Sequence, residues 1–228
     1  MANKRVMVIV AHPDDEVLGC GGTIARHADD GDMIKVLILA DGVGSRSDSR
    51  APDPVQLEAR RRSARAANEL LGVHEIEFHD YQDNRMDGCD LLDVVRSIER
   101  EMTAFDPSIV YTHHVGDVNV DHAVVHNAVV TACRPKPGFA VRGLWFFETP
   151  SSTEWRPATS AMPFSPTYFV DISATLPRKL AALNCYLSEM CDYPHPRSLR
   201  ACENLAMFRG ASVGVCAAEA FQVGRILI

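Results

Sequence analysis

No two of the seven cysteines, at positions 20, 89, 133, 185, 191, 202 and 216, stand in a C-x-x-C spacing, and their number is odd. That excludes a cysteine-built zinc finger and a dithiol redox motif, and it argues against a framework of paired disulfides. The cysteines read as reduced small hydrophobes, which points to a cytoplasmic setting. Basic charge is also scarce: 23 Lys and Arg face 30 Asp and Glu, for a net charge of −7. An acidic chain lacks the cationic surface that non-specific nucleic-acid binding needs, so no nucleic-acid partner is expected. No apolar run reaches the ~20 residues of a membrane-spanning helix. The apolar stretch after Lys4 and Arg5 is too short for a signal-peptide core, and it ends in acids rather than small residues. The pattern G-x-S-x-G is missing, which disfavours a serine hydrolase elbow. "GCGGTI" (19–24) fails as a dinucleotide loop because Ile24 stands where a glycine is required.

Strand and helix signals alternate over the first two-thirds of the 228 residues. Continuous β-branched runs at 5–11 and 33–41 fit strands covered on both faces. Further strands are expected at 75–80, 108–114 and 141–149, and one near 167–172. Helices are expected at 22–31, 54–73, 89–105 and 121–135, then near 174–191 and 198–208. Repeated β-α-β units imply an α/β fold of Rossmann-like type, a three-layer sandwich with a mostly parallel sheet and helices on both faces. One domain spans 1–228, with an α/β core at 1–149 and a substrate-shaping extension at 150–228. A homo-oligomer is compatible with this composition.

The first strand runs into "AHPDDE" (11–16), one histidine followed by three acids. Unpaired buried charge is costly, so either these acids form a solvated helix start or a cation sits among them. His12 and Asp15 are three positions apart on a proline turn, a spacing at which an imidazole and a carboxylate can converge. "GDVNVDHAVVH" (116–126) offers a third ligand, His122, after the fourth strand. Sites in such sheets gather at the carboxyl ends of the strands, so the two clusters are expected at one rim. Two histidines and one aspartate leave a position open, as catalytic zinc sites do, although the set also suits other divalent ions. Asp14 would then take a proton from water activated by the ion, and Glu16 and Asp121 would orient the ligands. His126, four residues after His122, reads as packing or support.

"AHPDDE", "LGCGGTIARHADDGDMIKVLILADG" and "YTHHVGDVNVDH" together resemble the PIG-L/LmbE-like zinc-dependent N-deacetylases. "DNRMD" (83–87), "ETPSSTEW" (148–155), "HPRS" (195–198) and "AEAF" (218–221) extend the likeness over nearly the whole chain. The resemblance implies removal of an acyl group, usually acetyl, from the 2-amino group of a glucosamine-containing substrate. It implies Zn²⁺ held by His12, Asp15 and His122, with Asp14 as general base.

Two positions depart from the family pattern. Many relatives carry a histidine three residues before the last ligand, and Asn119 stands there, able to donate a hydrogen bond but not a proton. His195 or His114 is the candidate for the missing acid. Ser63 occupies the place of an expected acid in "RRRSAR", while Arg61 is a candidate for sugar or phosphate oxygens. Trp155 would either stack on a sugar or anchor its loop. The loop 42–53 and the segment 150–166 are the expected determinants of substrate choice. The competing reading is a metal- and ligand-binding protein of the same fold that has lost hydrolysis; Asn119 and Ser63 favour it, and the intact Asp14 opposes it.

Overall fold

The computed structural model describes residues 3–44 and 53–228. Five parallel strands come first along the chain: β1 (Arg5–Val10), β2 (Met33–Ala40), β3 (Glu75–Tyr81), β4 (Ile109–His113) and β5 (Gly143–Phe147). The remaining two, β6 (Tyr168–Asp171) and β7 (Ala218–Ile226), complete a seven-stranded sheet of order β3-β2-β1-β4-β5-β7-β6. Only β7 runs against its neighbours.

The unbroken apolar runs in β1 and β2 are explained by burial on both sides. Val6, Val8 and Val10 face one hydrophobic layer, and Met7 and Ile9 face the other. Helices α1 (Asp15–Asp29), α2 (Pro54–Leu71) and α5 (Leu176–Leu183) cover the first layer, through Val17, Ile24, Ala64, Leu71 and Leu183. The second is covered by α3 (Leu91–Phe105) and α4 (Val120–Ala132), through Val94, Ile98, Val125 and Val129. The expected three-layer architecture is therefore present. A sixth helix, α6 (Leu199–Ala211), packs on β7. Among the described residues, no helix is long and apolar enough to cross a membrane.

Boundaries follow local chemistry. Asp53, Asp90 and Ser198 cap the starts of α2, α3 and α6 by accepting a backbone N–H, and Pro54 opens α2. Gly72, at φ 81°, closes α2 in the left-handed conformation.

The expected helix 22–31 is longer than its pattern suggested: it begins at Asp15 and breaks at Cys20, where φ is −147°. Gly19, Gly21 and Gly22 lie inside α1. They allow close packing: a Cβ on Gly19 would meet the Phe147 ring at 2.2 Å, and one on Gly22 would meet Ile172 at 2.7 Å. A broken helix leaves backbone groups without partners. Glu219 of β7 accepts from Gly22 N (2.9 Å), Thr23 N (2.7 Å) and Thr23 Oγ1 (2.6 Å). Lys179 of α5 donates to Leu18 O (3.0 Å) and to Glu219 (2.5 Å). Residues from the last third of the chain thus hold the helix whose first turn carries Asp15.

The order places β1 between β2 and β4, so the chain leaves β1 toward one edge and later returns to the other. That reversal opens a crevice beyond the carboxyl ends of β1 and β4.

Candidate metal centre

His12, Asp14 and Asp15 leave the end of β1, and His122 stands in the first turn of α4, which follows β4. The crevice brings them together. Asp15 Oδ2 lies 3.3 Å from His12 Nδ1 and 3.3 Å from His122 Nε2. These contacts are long for hydrogen bonds, yet they match the edge of a tetrahedron whose arms are about 2.0–2.1 Å, which is roughly 3.3–3.4 Å. Asp15 Oδ1 and both ring nitrogens of His122 are buried without a hydrogen-bond partner. Orphaned polar atoms of this kind call for an explanation. The three side chains form a buried group able to hold a metal ion.

The far nitrogen of each imidazole faces a carboxylate. His12 Nε2 lies 3.0 Å from Asp121 Oδ2 and 3.1 Å from Asp83 Oδ1. Asp121 is itself fixed by the backbone N–H groups of Asn84 (2.7 Å) and Met86 (3.0 Å). His122 Nδ1 lies 3.0 Å from Asp117 Oδ2. Asp117 in turn accepts from Ser152 Oγ, from Thr153 Oγ1 (3.0 Å) and from Asn119 N (2.8 Å). A carboxylate beside one ring nitrogen favours the proton there and turns the other nitrogen toward Asp15. His12, Asp83 and Asp121 also come close enough to form a second metal-capable group. Each Asp121 oxygen there already accepts from one backbone donor.

Burial acts to lower the His122 pKa, but the Asp15 and Asp117 carboxylates outweigh it and push it up to about 9. Burial pushes Asp14 up to about 6, against the pull of the Arg197 guanidinium 3.0 Å away. Asp14 is only 2% exposed and adopts φ 119°, a strained backbone for a residue with a side chain.

Glu16 does not reach the imidazoles. It accepts from Tyr186 Oη (2.6 Å), Asn68 Nδ2 (2.9 Å) and Asp14 N (3.1 Å), and burial raises its pKa to about 7. It braces the turn rather than the ligands. Asn119 caps α4, its Oδ1 accepting from Asp121 N (2.9 Å) and its Nδ2 donating to Asn84 Oδ1 (3.2 Å). His114 Nε2 sits 3.0 Å from Met162 O, with its ring against Phe164, so it pins the 150–166 segment. His195 accepts from Arg197 N at Nδ1 (3.1 Å) and lies edge-on to Trp155, which is 52% exposed. His126 donates to His113 O (2.9 Å) and packs on Phe146. Arg61 pairs with Asp80 and lies over Phe78, apart from this cluster. Its neighbour Arg60 is the inward one: it is buried, donates to Gly42 O (2.9 Å) and pairs with Glu189 (2.7 Å). Most of the loop 42–53 falls outside the described residues.

Sequence reasoning assigned no role to Asp83, Asp117 or Arg197. Each sits in a string noted for other reasons, and a single acid or arginine in a turn-rich stretch carries no spacing signal of its own.

Fold and site together define an α/β protein with a buried His-Asp-His cluster at the sheet's topological switch. The chain belongs to the PIG-L family: the family model described as GlcNAc-PI de-N-acetylase matches residues 7–133. A protein of Escherichia coli (strain K12) named uncharacterized deacetylase YaiS is 33% identical over 157 residues, 66% of this chain and 78% of that protein. The 4-oxalmesaconate hydratase of Pseudomonas putida is 32% identical over 206 residues, covering 80% of this chain and 72% of its own length. The structure of N,N'-diacetylchitobiose deacetylase from Pyrococcus horikoshii shares the fold, with a TM-score of 0.78 and 22% identity over 97% of this chain and 84% of that one.

Proposed function

We propose that the protein is a zinc-dependent N-deacetylase that hydrolyses the acetamide of an N-acetylated amino sugar or a conjugate of one. The observation that carries this reading is the juxtaposition of Asp14 with the His12–Asp15–His122 group. A buried carboxylate adjoins three side chains whose spacing fits one tetrahedral ion. The family description supports an acetylated glucosamine as the substrate class.

His12 Nδ1, Asp15 and His122 Nε2 would hold the ion. Bound there, zinc supplies Lewis acidity and makes a water molecule easier to deprotonate. Asp14 takes the proton from the attacking water, whose oxygen adds to the acetyl carbonyl carbon. Asp121 and Asp117 keep both imidazoles in the tautomer that ligation needs. As the C–N bond breaks, Asp14 returns the proton to the departing nitrogen, giving the free amine and acetate. Asn119, occupied as a helix cap, carries no proton to this step.

A second reading is water addition to a carbon–carbon double bond, the activity in the name of the Pseudomonas relative. The 32% identity to that relative over 80% of this chain supports it. The zinc-loaded protein, incubated with a panel of N-acetylated amino sugars and of unsaturated dicarboxylic acids, separates the two. Free amine from the first set supports deacetylation. Loss of ultraviolet absorbance in the second set alone assigns hydration.

A further inference from the structure

Arg197 bridges two segments. Its Nη1 donates to Asp14 Oδ2 at 3.0 Å, and its Nε donates to Ser151 Oγ at 2.6 Å. Both anchors have backbone conformations that disfavour side chains: Asp14 at φ 119° and Ser151 at φ 67°. Such residues persist only where their surroundings over-determine them. Ser151 is fixed further by Glu154, which accepts its N–H at 2.6 Å, and the next residue, Ser152, hydrogen-bonds Asp117. Residues 149–154 therefore hold the partner of Asp14 and the partner of His122 on adjacent positions. The guanidinium is engaged on two of its nitrogens and lies beside an ionisable cluster in which Asp14 and Asp15 are neighbours in sequence.

We propose that Arg197 is the positioning residue for Asp14: its guanidinium fixes one orientation of the carboxylate and balances that charge beside the metal-binding group. The inference rests on the reading of Asp14 as the base and of His12, Asp15 and His122 as ligands. A rigid carboxylate aimed by a planar fork keeps its proton-accepting oxygen in register with the attacking water.

The test uses Arg197→Met and Arg197→Lys, with zinc affinity measured by chelator competition alongside steady-state kinetics on an N-acetylated amino sugar. Removing a cation 3.0 Å from Asp14 takes a repelling positive charge away from the ion site, so Arg197→Met is expected to bind zinc about tenfold more tightly. Its kcat falls by at least about tenfold with KM within about twofold, and added guanidinium chloride restores part of the rate. Arg197→Lys keeps zinc affinity near that of the wild type and retains intermediate kcat. A merely structural role loosens the turn and gives the opposite sign. Zinc affinity unchanged or weakened in Arg197→Met overturns the proposal. If the wild type holds zinc yet cleaves no acetamide, the deacetylase reading fails while the zinc comparison still decides the role of Arg197. A wild type that holds no zinc overturns both.

Discussion

The His113 imidazole lies flat against that of His122, with centroids 3.9 Å apart and 13° between planes. The two rings are committed differently. His113 Nε2 accepts the Ala11 N–H at 3.0 Å, so its lone pair is spent, and Nδ1 faces Thr149 Oγ1 at 3.3 Å. Burial, reinforced by the neighbouring His122, holds its pKa well below the usual value. His113 is a neutral spacer, whereas His122 Nε2 faces Asp15 and makes no hydrogen bond. His122→Ala is therefore expected to lose bound zinc after dialysis, while His113→Gln retains about one equivalent. Elemental analysis of both purified variants checks this.

Asp117 reaches the proposed ion site only through His122. Asp117→Ala removes the acceptor that fixes the ring tautomer, and zinc affinity should weaken about 10–100-fold, as for other outer partners of metal-bound imidazoles. Competition with a chromogenic chelator reads the change.

Asp14→Asn preserves the size of the side chain and a partner for Arg197 but removes the proposed base. Zinc content is expected to stay at the wild-type value while kcat drops by about 10²-fold or more. Single-turnover kinetics on the zinc-loaded variant measure it, and an unchanged rate moves the base elsewhere.

Glu219 closes the break in α1 and pairs with buried Lys179. Glu219→Ala strands that ammonium and the N–H groups of Gly22 and Thr23. A loss of about 3–5 kcal/mol is expected, as for other broken buried pairs. Urea titration followed by far-ultraviolet circular dichroism gives the value.

The core of this fold was legible because its strands are buried on both faces, so runs such as "RVMVIV" are apolar at every position. The clustering of the candidate site was legible where its residues lie close in sequence: His12, Asp14 and Asp15 share one turn, and His122 follows an acid at a helix start. The residues that support them were hidden, because Asp83, Asp117 and Arg197 come from three separate turns that only the folded chain assembles. Helix α1 was misjudged at its start because three glycines weaken the helical signal. The structure compensates with contacts from Lys179 and Glu219, roughly 150–200 residues along the chain. Strand β7 lacked a clean pattern because half of it is buried and half exposed as it passes between β5 and β6.

Release of free amine from an N-acetylated amino sugar, compared between zinc-loaded and chelator-stripped wild-type protein, tests the central claim most directly. Hydrolysis at the His12–Asp15–His122 group predicts that stripping abolishes release and that one equivalent of zinc restores it. Release that continues undiminished in the stripped protein contradicts the account.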